Sequence, residues 1–131
     1  MAIRIVRLGT PRVPNEGPRL GTVRRPPRGV PKSEFGTRDF YDVWLPELAP
    51  TPTLVSWALG SDWTPARWRK FEKRYRAEMS KPPAQHFIAT LAALSHTANF
   101  SVGCYCEDAS RCHRSLLASL LADAGANMKS G

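Results

Sequence analysis

Residues 104–115 read CYCEDASRCHRS and hold all three cysteines of the chain, with His113, Arg111 and Arg114 among them. Four readings suit such a cluster: a metal knot, a reactive thiol, an anion cradle, or simply the buried end of a strand running into a helix. Zinc asks for three or four ligands at about 2 Å, and Cys104, Cys106, Cys112 and His113 are the local candidates. Their spacing, C-x-C-x5-C-H, is not that of a zinc finger or ribbon. With Cys112 and His113 read as helical, their side chains diverge by about 100°, so zinc is disfavoured and no metal or cofactor is expected. A phosphatase-type loop needs C-x5-R, but four residues separate Cys106 from Arg111, six separate Cys104 from Arg111, and seven separate Cys106 from Arg114. That motif fails by count. A thiol near a helix N-terminus and arginines has a lowered pKa, which makes Cys106 a candidate nucleophile. Glu107 and His113 are the candidates for moving protons. Inert burial at a strand end is the competing reading for cysteine, and a bond to a backbone carbonyl the competing one for His113.

The elements that would position these residues follow from hydrophobic periodicity. NFSVGCYC (99–106) reads as a buried strand, and Leu116, Leu117, Leu120, Leu121 and Ala124 mark a helix over about 111–125. The turn 107–110 then lies at the carboxyl end of a strand, where open α/β sheets bind ligands. Asp108 or Ser110 can cap the helix. Its first amides, with Arg111 or Arg114 alongside, would make an anion site.

Upstream, IRIVRL (3–8) has the alternation of an edge or first strand, and RLGTV (19–23) is a second short strand. Nine of the twelve prolines fall between Pro11 and Pro52, which excludes a long helix or a central strand there. Within that stretch, YDVWLPELAPT (41–51) is too apolar to float and is expected to be pinned on the core. PTLVSWALG forms a short helix closed by Gly60. Thr64-Pro65 supplies an N-cap and first-turn proline for a helix to about Met79, with Trp68, Phe71, Tyr75 and Met79 on its core face. Phe87, Ile88, Leu91 and Leu94 mark another helix. The order of elements gives a small three-layer α/β domain, Rossmann-like or flavodoxin-like, with a mostly parallel sheet. It spans 1–131 as one domain, with 11–52 a proline-rich, basic, loop-dominated part and 126–131 a disordered tail.

The chain has 131 residues and a net charge of +8. Residues 1–38 carry nine basic against two acidic side chains, and residues 39–131 carry ten against nine. An anionic partner is therefore expected, either a small molecule or nucleic acid. No apolar run of about 18 residues occurs, so no membrane partner is expected. Three cysteines make a poor disulfide framework and suit a reducing, cytoplasmic setting.

Two stretches carry a resemblance. VRRPPR (23–28), followed late in the chain by Cys106-Glu107, then Cys112-His113-Arg114-Ser115, resembles the family called domain of unknown function 488. The pieces PRGVPK, WLPELAPT and the W-x2-F-x3-Y helix are similar to its YeaO-like branch. The resemblance covers about residues 3–125. It implies an α/β fold in which both motifs sit at the carboxyl ends of adjacent strands, and it implies no reaction. Carried over by position, Arg24, Pro27 and Arg28 match the early motif. Cys106, Glu107, Cys112, His113, Arg114 and Ser115 match the late one. Where the family often has Asp, this chain has Thr22, so a mechanism needing that carboxylate is in doubt.

The resulting expectation is a cleft for a phosphate-like or nucleotide-like anion, bound by Arg24, Arg28, Arg114 and Ser115. Cys106, Glu107 and His113 would be its reactive groups if the protein is a hydrolase or transferase. The alternatives are a nucleic-acid-binding module using the basic N-terminal third, and a non-catalytic structural or interaction domain.

Overall fold

The computed structural model describes residues 1–106 and 112–129. Five strands, β1 (Ile3–Arg7), β2 (Arg19–Gly21), β3 (Val43–Trp44), β4 (Phe100–Cys104) and β5 (Met128–Lys129), form one sheet in the order β3-β2-β4-β1-β5. Every pairing is parallel, with Leu20 opposite Val102 and Ile5 opposite Val102 on the other side. Among the described residues, four α-helices complete the α/β, Rossmann-like domain: α1 (Pro52–Leu59), α2 (Pro65–Met79), α3 (Ala84–Leu94) and α4 (His113–Asp123).

The helices cover one face. Ile3, Phe100 and Val102 join Leu54 of α1, Phe71 and Tyr75 of α2, Ile88 of α3 and Leu117 of α4 in one buried cluster, each such side chain contributing about 1.5–3 kcal/mol by leaving water. α2 has the expected bounds because its signals agree. Thr64 accepts from the Arg67 amide and Pro65 stands at the first helical position. Trp63 before the cap packs edge-on against Trp68, 5.6 Å between ring centroids, in the manner of a hydrophobic staple.

On the opposite face the third layer is loop rather than helix. Gly21 and Gly103, partners across β2 and β4, have no room for a side chain there. A Cβ on Gly21 would lie 2.3 Å from the Tyr41 ring, and one on Gly103 would lie 2.5 Å from the Val6 carbonyl oxygen. Beside them Arg19, in β2, is 1% exposed and ion-paired with Glu16 (Nε–Oε2 2.6 Å). Ser101 of β4 donates to the same carboxylate at 2.8 Å. Burial alone would raise the pKa of Glu16. The bonds from Arg19, Ser101 and the Val13 amide outweigh that and hold it below the ordinary glutamate value.

Three expectations are corrected. Part of the segment read as a disordered tail, 126–131, is β5, whose Met128 pairs with Ile3; two residues are too few to show an alternation. The proline-rich stretch does hold an interior strand, since β2 is short enough to fall between the prolines and lies between β3 and β4; of the edge and first-strand readings of IRIVRL the second holds, β5 covering its outer side. α4 begins at His113 with Cys112 as N-cap and no side-chain cap bond, so the helix starts later than its leucine pattern implied.

Candidate functional site

The carboxyl ends of β2 and β4, neighbours in the sheet, open into a cleft of about 530 Å³. Its lining joins both sequence motifs: Val23, Arg24 and Arg25 from the first, Cys104, Tyr105, Cys106, Cys112 and His113 from the second. The facing wall is apolar, built by Val55, Ala58 and Leu59 of α1, Trp63 before α2 and Phe71 within it.

Local bonds fix the arginine side. Arg24 sends Nε to the Pro50 carbonyl at 3.0 Å and Nη2 to that of Ala49 at 3.4 Å, which holds the chain entering α1. Thr51, the N-cap of α1, is tied in turn to Glu78 of α2, Oγ1 to Oε2 2.6 Å. The backbone on either side of Arg24 is anchored by Trp44 Nε1 donating to the Val23 carbonyl at 2.8 Å and the Tyr105 hydroxyl donating to that of Arg25 at 2.9 Å. Arg24 is thus half committed to the scaffold, while Arg25 is exposed at the cleft. Arg28 is exposed and is not among the lining residues.

His113 is held from three directions. Its Nε2 lies 2.6 Å from the Thr22 carbonyl oxygen, its ring leans on that of Tyr75 at 5.6 Å, and its Nδ1 is 3.7 Å from the Cys112 sulfur. Because a carbonyl only accepts, Nε2 carries the proton and Nδ1 presents its lone pair toward the sulfur. Burial pulls the His113 pKa down to about 4; the Thr22 bond opposes this and the charge of nearby Arg114 adds to it. The imidazole is therefore neutral at pH 7. Thr22, where the resemblance would often place Asp, is fully buried and donates Oγ1 to the Gly103 carbonyl at 3.0 Å. It contributes orientation through its carbonyl, with no carboxylate to act as a base.

Cys106 is exposed at the cleft, whereas Cys104 and Cys112 are buried with their sulfurs in disulfide contact. The three sulfurs lie within 4.8 Å of one another. A helical Cys112 would send its side chain away from that of His113. As N-cap it has extended backbone, φ −131° and ψ 146°, and its side chain turns back toward the end of β4. Arg114 is buried next to His113, and the Ser115 hydroxyl donates to the Cys112 carbonyl at 2.9 Å and is absent from the lining. Glu107, like Asp108, Ser110 and Arg111, lies outside the described residues.

Among the lining residues that sequence reasoning did not assign to a site are Arg25, the wall of α1, Trp63, Phe71 and Tyr105. Trp63 had a signal in its place before the Thr64 cap. Leu59 and Ala58 had none, since a short apolar helix looks the same whether it faces core or cleft.

Fold and site define a small all-parallel α/β domain with its cleft at the carboxyl ends of adjacent strands, the position where such sheets hold ligands. The profile described as "DUF488-N3a: Active DUF488-N3 subclade" matches residues 3–125. The chain belongs to this family, a subclade of domain of unknown function 488. No curated protein and no solved structure matches it. Among the described residues, no helix is long and apolar enough to cross a membrane.

Proposed function

We propose that the cleft binds a nucleotide-like organic anion and that the protein is a hydrolase or transferase acting on it. The observation that carries this reading is the composition of one cavity, where Arg24 and Arg25 face a Cys–His floor and an apolar, partly aromatic wall. A planar ring would lie against Trp63, Phe71 and Ala58, and a phosphate or carboxylate would be taken by the Arg25 fork. Trp63 Nε1 is buried with no hydrogen-bond partner among the described residues, a donor that a ligand acceptor would satisfy. The floor of Cys106 and His113 faces the reactive end of the ligand. The word "active" in the family's description favours catalysis over a purely structural role.

The nucleic-acid alternative draws on the basic N-terminal third, but that charge is partly spent internally. Arg12 pairs with Asp39 and Asp42, Arg19 with Glu16, and Arg24 bonds two carbonyls. Calorimetric titration with a nucleoside monophosphate, the bare nucleoside and inorganic phosphate tests the proposal. One site that prefers the monophosphate to either part alone is expected, weakened about tenfold or more by Arg25→Gln, in line with the roughly 1.5–3 kcal/mol of a charged hydrogen bond. Ala58→Trp, which fills the wall, should abolish it. Absence of monophosphate binding, or binding only to oligonucleotides with a steep salt dependence, overturns the reading.

A further inference from the structure

The floor of the cleft carries more than a wall of thiols. Cys104 ends β4, Cys106 follows two residues later beyond a bend at Tyr105, and Cys112 returns immediately before α4. Helix N-caps favour Ser, Thr, Asp or Asn because a side-chain oxygen can accept from the first-turn amides. Cys112 occupies that position and makes no such bond. Its sulfur instead joins those of Cys104 and Cys106, all within 4.8 Å of one another. The Cα atoms of Cys104 and Cys112 stand 7.8 Å apart, wider than the roughly 4.4–6.8 Å spanned by disulfides. A backbone so spaced suits two sulfurs facing each other across an ion.

A second observation concerns His113. Its Nδ1 is 3.7 Å from the Cys112 sulfur. Zinc bonds of about 2.3 Å to sulfur and 2.0–2.1 Å to nitrogen place neighbouring vertices of a tetrahedron about 3.6 Å apart. Its other nitrogen is engaged at 2.6 Å with the Thr22 carbonyl. That is the outer bond by which metal-bound histidines are oriented and their ligating lone pair kept bare.

We propose that Cys104, Cys106 and Cys112, whose sulfurs already cluster, form a site for a soft divalent cation, with Nδ1 of His113 closing in from beside Cys112 as the fourth ligand, zinc being the chemical default. Binding exchanges the thiol protons of the three cysteines for the ion, and those protons go to solvent. With four protein ligands the ion is structural: it clamps the end of β4 to the start of α4 and fixes the cleft floor. Cys106 is then a ligand and not a nucleophile. Joining Cys104 to Cys112 as a disulfide requires removal of two electrons by an external oxidant and excludes the ion, so the site belongs to the reduced protein. This inference does not depend on what the cleft binds; with the ion held, Cys106 and His113 shape the floor beneath that ligand and are not its reactive groups.

The test is titration of the chelator-stripped, fully reduced chain with Co²⁺ alone, followed by displacement with Zn²⁺. One Co²⁺ per chain is expected, with thiolate-to-cobalt charge-transfer absorption and intense tetrahedral visible bands that vanish on adding Zn²⁺. Cys106→Ser, at an exposed position and checked for folding by circular dichroism, should lose about a third of the charge-transfer intensity, one thiolate of three, and at least tenfold in affinity. In the wild-type chain, Zn²⁺ should protect all three thiols from iodoacetamide, counted by mass. The proposal is overturned if the reduced, folded protein gives no charge-transfer band, if Cys106→Ser binds as well as wild type, or if Cys104 and Cys112 remain bonded under reductant. These readouts involve no organic ligand, so this site and the cleft reading can fail separately.

Discussion

Replacing Arg19 with Met probes how the basic N-terminal segment is used. The guanidinium is 1% exposed and all its directions are occupied: Nε and Nη2 reach Glu16 at 2.6 and 3.2 Å, Nη1 reaches the carbonyls of Thr10 and Asp39 at 2.8 and 2.7 Å, and Nη2 that of Pro11 at 3.3 Å. Arg19→Met leaves the Glu16 carboxylate, 2% exposed, without its counter-charge, and removing one partner of a buried pair costs about 3–5 kcal/mol. The three carbonyls lose their donor as well. We expect a loss of about 4 kcal/mol, on the order of 15 °C in melting temperature for a domain of this size, a large fraction of a typical 5–15 kcal/mol. Arg19→Lys keeps the charge without the fork and should recover part of it. Equilibrium urea denaturation measures both, with the slope of the transition checked against wild type. The double variant Glu16→Leu/Arg19→Met should cost less than Arg19→Met alone, because no buried charge is left behind. If Arg19→Met loses under about 1 kcal/mol, the ion pair is not the device that seals the helix-free face of the sheet.

The same carboxylate sets an acid limit. The folded-state pKa of Glu16 is depressed from 4.5, so the unfolded chain binds more protons in acid. Its contribution is fully present above about 4.5 and is lost as pH falls through the folded value; urea midpoints measured from neutral to acidic pH should fall less in Glu16→Gln than in wild type, the remaining fall coming from the likewise depressed Asp42 carboxylate. Gly21→Ala drives a methyl group into the Tyr41 ring at 2.3 Å. Overpacking of this kind costs about 1–3 kcal/mol, and Tyr41→Ala in the same chain should remove the clash, a coupling measurable by a double-mutant cycle.

The sequence made the long elements legible where several signals coincided. Thr64-Pro65 with the Trp68, Phe71, Tyr75 and Met79 stripe fixed the bounds of α2, and the apolar run 99–106 followed by a leucine-rich helix placed the cysteine turn at a strand end. β3 and β5 escaped because two residues carry no periodicity, and Val43 and Trp44 are half exposed. Arg19 read as an ordinary basic strand residue, since its pairing with Glu16 depends on loops at Thr10, Pro11 and Asp39 closing over the sheet. Arg25 lines the cleft and Arg28 does not, and the loop that carries them is tethered by Tyr105, whose hydroxyl bonds the Arg25 carbonyl from eighty residues away in sequence. Convergence of the three sulfurs is not legible in the sequence, because it depends on Cys112 standing before α4 as an N-cap with extended backbone.

The central claim is that one cleft takes a nucleotide-like anion. The most direct measurement is amide and indole chemical-shift mapping of the full chain titrated with a nucleoside monophosphate. Saturable shifts at Arg25, Ala58, Tyr105 and the Trp63 indole, weakened in Arg25→Gln, are the expected result. No shifts at millimolar ligand, or shifts confined to the outlying Arg28, Lys32 and Arg38, would contradict it.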